Sequence, residues 1–307
     1  MAREVLAVLR PGPAMRFLDA TVGEGGHAYL LLEASAPDGR LVGVDLDEQA
    51  LARARLLLAD FGDRFIAVHE NFARARRVLE ELGWQQGVDG VLLDLGLSSL
   101  QLESAERGFS FRLSGPLDMR FDRGQGGGLR AADLLARASE RELVRLLREF
   151  GEEELAVPIA RALVSERARA PLSTTADLAR VIERAVRGRR VRGAVHPATR
   201  TFQALRIAVN AELDNLRSFL AQGYELLRPG GRMAALSYHS LEDRMVKEAF
   251  RVWAAPCLCP PGLAVCACGW SPKVRLLTRR PLLPAADEVS ANPRARSARL
   301  RAVERLV

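Results

Sequence analysis

The residues best suited to chemistry are three aspartates, Asp19, Asp45 and Asp94, each closing a short apolar run, together with a glycine-rich turn after the first. That turn reads Asp19-Ala20-Thr21-Val22-Gly23-Glu24-Gly25-Gly26-His27, with a strand over residues 16–20 before it and the first turns of a helix over 28–32 after it. Backbone N–H groups at a helix start lack intrahelical partners and carry the positive end of the dipole, so the turn can hold a carboxylate or a phosphate. Glycine lets such a ligand approach closely. Gly23-x-Gly25-x-x-Ala28 also fits the dinucleotide fingerprint, so the turn alone does not choose between a nicotinamide cofactor, S-adenosylmethionine and a plain tight turn.

The elements that must position these residues keep a regular rhythm. Apolar segments at 16–20, 41–45, 65–69 and 88–94 alternate with helical spacing of Leu, Ala and Val at 48–61 and 73–82, which implies a parallel sheet. A fifth strand, 232–237, comes after Arg228-Pro229-Gly230-Gly231 only much later, so the stretch between strands four and five is an insertion. It reads as helical. Ser139-x-x-Glu142 is a capping box before Leu143, Val144, Leu146, Leu147 and Phe150, with Gly151 as the stop. Residues 152–169 and 175–187 carry apolar stripes, Pro158 kinking or dividing the first. Gly124-Gln125-Gly126-Gly127-Gly128 is a flexible connector, and a helix beginning near Pro197 leads back to the sheet. The expected architecture is α/β, a doubly wound, mostly parallel, Rossmann-like sheet built from residues 1–104 and 201–307, with a helical insertion over 105–200.

Position along the strands narrows the ligand. Asp45 ends the second strand, where an acid can take both ribose hydroxyls; the alternative is a turn acid within Asp45-Leu46-Asp47-Glu48. Phe72, just after the third strand, can cover an adenine face or serve as ordinary core. Ligands of open parallel sheets bind beyond the carboxyl ends of the strands, where Asp19, Asp45 and Asp94 all fall. A pyrophosphate gains nothing from facing Asp19 and Asp94, whereas a sulfonium is cationic at its reacting centre. Coulombic logic therefore favours S-adenosylmethionine over a nicotinamide cofactor and a dehydrogenase.

Several longer motifs then resemble one family, the RsmH (MraW) methyltransferases. They are Asp19-x-Thr21-x-Gly23-x-Gly25-Gly26-His27, Asp94-Leu95-Gly96-Leu97-Ser98-Ser99-x-Gln101-Leu102, and Arg107-Gly108-Phe109-Ser110-Phe111 with Gly115-Pro116-Leu117-Asp118-Met119-Arg120. They continue through Thr201-Phe202-Gln203-Ala204-Leu205-Arg206-Ile207, Ser237-Tyr238-His239-Ser240-Leu241-Glu242-Asp243-Arg244 and Asn292-Pro293-Arg294-Ala295-Arg296-Ser297-Ala298. The resemblance covers nearly the whole chain. It implies a class I methyltransferase fold and transfer of a methyl group from S-adenosylmethionine to the exocyclic N4 of a cytidine in 16S ribosomal RNA, in the decoding (P-site) region of the assembled small subunit. By motif it implies cofactor contacts at Gly25, Gly26, His27, Asp45, Phe72, Asp94 and Gln101, to which Asp19 and Gly23 are added from the turn itself. For the transfer, Asp94 is the natural acceptor for the amino hydrogens, with Tyr238 and His239 after the fifth strand as further candidates. His239 can equally satisfy its own loop. Tyr238, Phe109 and Phe111 are candidates to stack on a splayed base.

Charge supports a polyanionic partner. Residues 1–103 hold 10 basic and 16 acidic side chains, whereas 160–200 carry 10 Arg against 3 acids and 272–307 carry 9 Lys or Arg against 3 acids. Such asymmetry suits an acidic cofactor domain beside surfaces for RNA. Solvated helix faces are the alternative, and with 43 Arg among the 45 basic residues, Arg richness alone decides little. Arg187, Arg189, Arg190 and Arg192 form an exposed basic loop, and Arg294 and Arg296 a phosphate-contacting arm. No apolar run approaches the roughly 18 residues that span a membrane, so a soluble, cytoplasmic protein is expected. Cys257, Cys259, Cys266 and Cys268 are close enough in sequence to bind zinc, but their spacing differs from C-x-x-C and the resemblance implies no metal, so no metal site is assigned.

Overall fold

The computed structural model describes residues 1–124, 128–188, 196–260 and 265–306, and they form two compact units. The first comprises Met1–Gly96 and the chain from Leu213 onward; the second is Leu97–Glu212. In the first, α1 (Ala2–Leu9) leads to β1 (Arg16–Asp19), α2 (Gly26–Ala34), β2 (Arg40–Asp45), α3 (Glu48–Leu57), β3 (Phe65–His69), α4 (Ala75–Glu81) and β4 (Val88–Asp94). The second unit is helical, with α5 (Ser99–Glu103), α6 (Ala131–Arg137), α7 (Glu140–Gly151), α8 (Ala156–Arg167), α9 (Thr175–Val186) and α10 (Ala198–Asn210). The chain returns through α11 (Glu212–Gln222) to β5 (Leu227–Ser237), α12 (Ser240–Trp253), β6 (Val274–Leu276), α13 (Ala286–Ala291) and β7 (Arg299–Arg305).

Among the described residues the strands form one sheet in the order β3-β2-β1-β4-β5-β7-β6, parallel from β3 to β5, with β7 antiparallel to both β5 and β6. This is the expected doubly wound, mostly parallel sheet. Alternate residues of its strands feed two separate cores, as a sheet covered on both faces requires. Leu18, Val42, Val91, Leu93 and Ala235 face one, and Phe17, Leu41, Leu92, Ala234 and Leu236 the other. Asp19 lies level with Gly43 of β2 and Leu92 of β4, so Asp45 and Asp94 project two residues further on either side of it. All three acids thus reach the same end of the sheet.

Four details refine or differ from what sequence pattern suggests. Helix α7 runs through Gly151, and Glu152 takes the left-handed cap (φ 47°); a Cβ at Gly151 would sit 2.7 Å from the Arg200 carbonyl, so its role is close packing on α10. Pro158 marks a boundary within 152–169 and kinks no helix: α8 starts at Ala156, and Pro158 falls in its first turn, where an N–H has no helical partner to lose. The end of the chain becomes β7, paired on both edges, so only Pro293–Ser297 before it remains a surface turn. Helices α5 and α10 belong with the helical unit, since Leu97, Leu102, Phe202 and Leu205 pack into its core.

Phe109 and Phe111 also serve that core. Phe109 is buried and stacks on Phe121 at 5.5 Å, while Phe111 stacks on the His196 imidazole at 4.5 Å and meets Phe202 edge-on. Their rings are spent on internal packing, which argues against either as the platform for a base.

Candidate active site

The glycine turn joins the end of β1 to the start of α2, and its backbone dictates where glycine must stand. Gly25 is the N-cap of α2 at φ 91°, a backbone state L side chains rarely adopt, and a Cβ there would press to 3.2 Å from Leu58. At Gly23 and Gly26, by contrast, an added Cβ would meet nothing within 4 Å, so the turn lies open beside the N-terminus of α2. The Gly23 N–H donates to Asp45 Oδ2 at 2.8 Å, tying the turn to the end of β2. Asp45 Oδ1 accepts from the Asp47 N–H at 2.9 Å, and it is Asp47, not Asp45, that caps α3 by accepting from the Gln49 N–H. The Leu46 N–H also donates to the Asp45 carboxylate, and of its roughly four acceptor sites at least one is left for a ligand hydroxyl. Burial pushes the Asp45 carboxyl above its usual range despite these N–H donors.

Asp94 lies at the centre. Its own N–H donates to Thr21 Oγ1 at 2.6 Å, its Oδ1 accepts from the Tyr238 hydroxyl at 2.9 Å, and its Oδ2 faces His27 Nε2 at 3.4 Å. Thr21 is a residue that pattern alone does not single out, although it stands in the first motif. Tyr238 reaches Asp94 because Gly96, at φ 110°, carries no side chain; a Cβ there would be 3.0 Å from the Tyr238 ring. Burial, then the adjacent Asp94 charge, pushes the Tyr238 phenol up, so it remains a donor. For His27, burial favours the neutral ring but is outweighed by the hydrogen bond to Asp94 and the charges of Asp94 and Asp19, which raise its pKa overall. Asp19 is almost fully buried, accepts from the Thr21 N–H at 3.2 Å, and is pushed up to about 7, mainly by desolvation, against the pull of His27.

The structure therefore brings together Asp19, Gly23, His27, Asp45, Asp94 and Tyr238, with Gly25 and Gly26 shaping the turn. Phe72 is half-buried after β3 and meets Phe219 of α11 edge-on at 5.8 Å. Gln101 is buried in the helical unit, where its Oε1 accepts from the Ser98 N–H in the capping box of α5. His239 is the N-cap of α12: its Nδ1 accepts from the Glu242 N–H at 3.4 Å, and its Nε2 lies 3.1 Å from Glu242 Oε1. Its Nδ1 thus serves the loop, while Nε2 is buried with no hydrogen-bond partner among the described residues. Glu242, whose i, i+3 spacing from His239 is that of a capping box, is buried and also accepts from the Tyr238 N–H at 2.9 Å, so it sets the path of the chain that carries the tyrosine. Arg187 is exposed just after α9, and Arg294 and Arg296 are exposed before β7; Arg189, Arg190 and Arg192 lie outside the described residues. None of the helices described is long and apolar enough to cross a membrane.

A cluster of buried and half-buried carboxylates around an open glycine turn is suited to a ligand with positive charge at one end and hydroxyls at the other. Comparison with known proteins agrees with a methyl-transferring site. The chain is 55% identical over 306 residues to the ribosomal RNA small subunit methyltransferase H of Syntrophotalea carbinolica, covering 100% of this chain and 96% of that one. It is 52% identical over 301 residues to the protein of the same name from Thermomicrobium roseum, covering 98% of this chain and 91% of the other. The MraW methylase family matches residues 1–306, and this chain belongs to it.

Proposed function

We propose that this protein transfers a methyl group from S-adenosylmethionine to the exocyclic N4 of a cytidine in 16S ribosomal RNA, in the P-site region of the small subunit, in the cytoplasm. The observation that carries the reading is Asp94, fixed at the end of β4 by Thr21, Tyr238 and His27 beside an open glycine turn. The name shared by its relatives supports the substrate. When bound, the cofactor supplies an electrophilic methyl group on a cationic sulfur. The residues present fit it: at the start of α2 the Gly26 and His27 N–H groups can meet its carboxylate, with Gly23 and Gly25, whose N–H groups donate to Asp45 and to the Val22 carbonyl, shaping the turn; Asp45 suits its ribose, and buried Asp19 gains from a cation nearby. Phe72 and Gln101 complete the proposed set.

The cytosine amine is a weak nucleophile because its lone pair is delocalised into the ring. Orientation is thus the largest contribution the protein can make, and Asp94 supplies it by accepting a hydrogen bond from the amine and favouring the positive charge that grows on the nitrogen. Tyr238 holds the carboxylate in place and offers an aromatic face. The helical insertion, with the Arg187, Arg189, Arg190 and Arg192 loop, and the Arg294 and Arg296 arm would engage the RNA backbone. The test is incubation with labelled S-adenosylmethionine and isolated small subunits, with free RNA and DNA in parallel. Label in N4-methylcytidine from subunits is expected; label in DNA alone, or in none, would overturn the reading.

Two further results are expected. Because the Asp19 carboxyl is pushed up to about 7, it is largely neutral below that pH and anionic above it, so a cationic cofactor binds better on the alkaline side. Affinity for S-adenosylmethionine should fall about tenfold from pH 8 to pH 6, with a proton released on binding below pH 7. Calorimetry in buffers of different ionisation enthalpy measures both, and Asp19→Asn should bind more weakly at pH 8 with most of the slope gone. Replacing Arg187, Arg189, Arg190 and Arg192 by Ala should reduce the slope of log affinity for single-stranded RNA against log salt by up to about 3. An unchanged slope would return the loop to a solvated face.

A further inference from the structure

Between α12 and β6 the chain makes an excursion whose described residues form no hydrophobic core. Its base is closed by the Lys273 N–H donating to the Trp253 carbonyl at 2.7 Å and by the Trp270 indole N–H donating to the Ala255 carbonyl at 3.0 Å. Beyond that base, no described residue from Ala254 to Lys273 is buried, and Leu258 and Val265 point out at 45% and 76% exposure. Sulfur clusters there instead, on two half-buried cysteines, Cys257 and Cys259, and two exposed ones, Cys266 and Cys268. The Sγ atoms of Cys257, Cys259, Cys266 and Cys268 all lie within 4.8 Å of one another. Cys257 is 3.4 Å from Cys266 and 3.7 Å from Cys268, Cys266 is 3.5 Å from Cys268, and Cys259 is 3.9 Å from Cys266.

These separations identify the chemistry. A disulfide would bring two sulfurs to about 2.05 Å, and all four are free thiols. Four sulfurs at about 2.3 Å from a central zinc stand about 3.8 Å apart along the edges of the tetrahedron. Backbone amides are also aimed at the sulfurs: Leu258 N–H at Cys268 and Ala267 N–H at Cys259, both 3.4 Å, and Cys259 N–H at Cys257, 3.3 Å. The first two cross from one cysteine pair to the other. Such donors favour thiolate over thiol, and a small exposed loop without apolar filling needs an internal staple of this kind.

We infer that Cys257, Cys259, Cys266 and Cys268 bind one zinc ion as four thiolates, releasing their thiol protons to solvent, in a closed structural site that pins the loop between α12 and β6. Four protein ligands leave no open position, so the site takes no part in the methyl transfer. It is independent of the proposed RNA substrate.

The full-length chain, purified under reducing conditions without added metal, is expected to carry about one zinc per molecule by elemental analysis. The variant with all four cysteines changed to Ser should carry none. Because that variant can lose its local fold, the wild-type protein provides a second readout: after chelation, one equivalent of cobalt(II) should give the visible and thiolate charge-transfer bands of a tetrahedral sulfur site, which zinc then bleaches. Chelation should also expose the loop to protease while circular dichroism of the sheet is retained. Iron in place of zinc, zinc content unchanged in the four-serine variant, or reduced wild-type protein that takes up neither zinc nor cobalt would overturn the inference.

Discussion

Asp94→Asn is expected to lower single-turnover methyl transfer by about 10²- to 10⁴-fold, with cofactor affinity changed far less. The amide keeps the shape of the carboxylate and one acceptor oxygen, so Thr21 and Tyr238 can still hold the end of β4 in place. The change removes the negative charge that favours a nitrogen becoming positive as it attacks. Asp94→Ala removes the acceptor as well and should fall at the lower limit of detection, while RNA binding through the arginine-rich segments stays within a few-fold. Tyr238→Phe is the informative companion. It deletes only the hydroxyl that donates to Oδ1, so its loss should be smaller than that of Asp94→Asn and should appear in the rate at saturating cofactor. Single-turnover rates with small subunits, beside calorimetric cofactor affinity and RNA affinity by filter binding, separate these effects. Equal losses of rate, cofactor binding and RNA binding in Asp94→Asn would show that the residue holds the fold and does not act on the amine.

The sequence exposes this site unusually well because its acids stand at the ends of apolar strands, where both periodicity and the architecture point at them. Asp19, Asp45 and Asp94 need only the strand rhythm and the rule that ligands sit beyond the carboxyl ends. Glu242 is marked by local spacing, since it stands three residues after His239 and completes the capping box of α12. Thr21 is harder to see, because its partner, the Asp94 N–H, depends on how strands pack and leaves no mark in local spacing. The same holds for β7: Arg299-Leu300-Arg301-Ala302-Val303-Glu304-Arg305 alternates only weakly and carries four charges that pattern reads as a basic tail. Three of those charges are neutralised by opposite charges distant in sequence: Arg301 and Arg299 by Asp243, and Glu304 by Arg232 and Arg275. Phe109 and Phe111 fail in the opposite direction. An aromatic pair within a family motif invites a stacking role, yet a helical unit of this size needs its large rings for its own core.

Asp243 shows where this distinction leads. It stands in Ser237-Tyr238-His239-Ser240-Leu241-Glu242-Asp243-Arg244, beside Glu242 and close in sequence to Tyr238. The structure instead aims it at β7. Oδ1 accepts from Arg301 Nε at 2.7 Å, and Oδ2 accepts from Arg301 Nη2 at 3.2 Å and Arg299 Nη1 at 2.9 Å, with Asp243 and Arg301 both under 10% exposed. Burial disfavours the charged carboxylate, but the two guanidiniums outweigh it and hold the carboxyl below its ordinary value of 3.8. A carboxyl depressed in the folded state stabilises above its unfolded pKa, and that contribution is lost as pH falls through the folded value. Asp243→Ala leaves the Arg301 guanidinium buried without its partner, a change that costs about 3–5 kcal/mol. The variant should therefore unfold at markedly lower urea, whereas Asp243→Leu combined with Arg301→Met, which removes both charges, should recover most of the loss. Cofactor affinity of the folded fraction should stay within a few-fold of wild type in both. A variant of wild-type stability that has lost transfer would instead move Asp243 into the active site and make its pairing with β7 incidental.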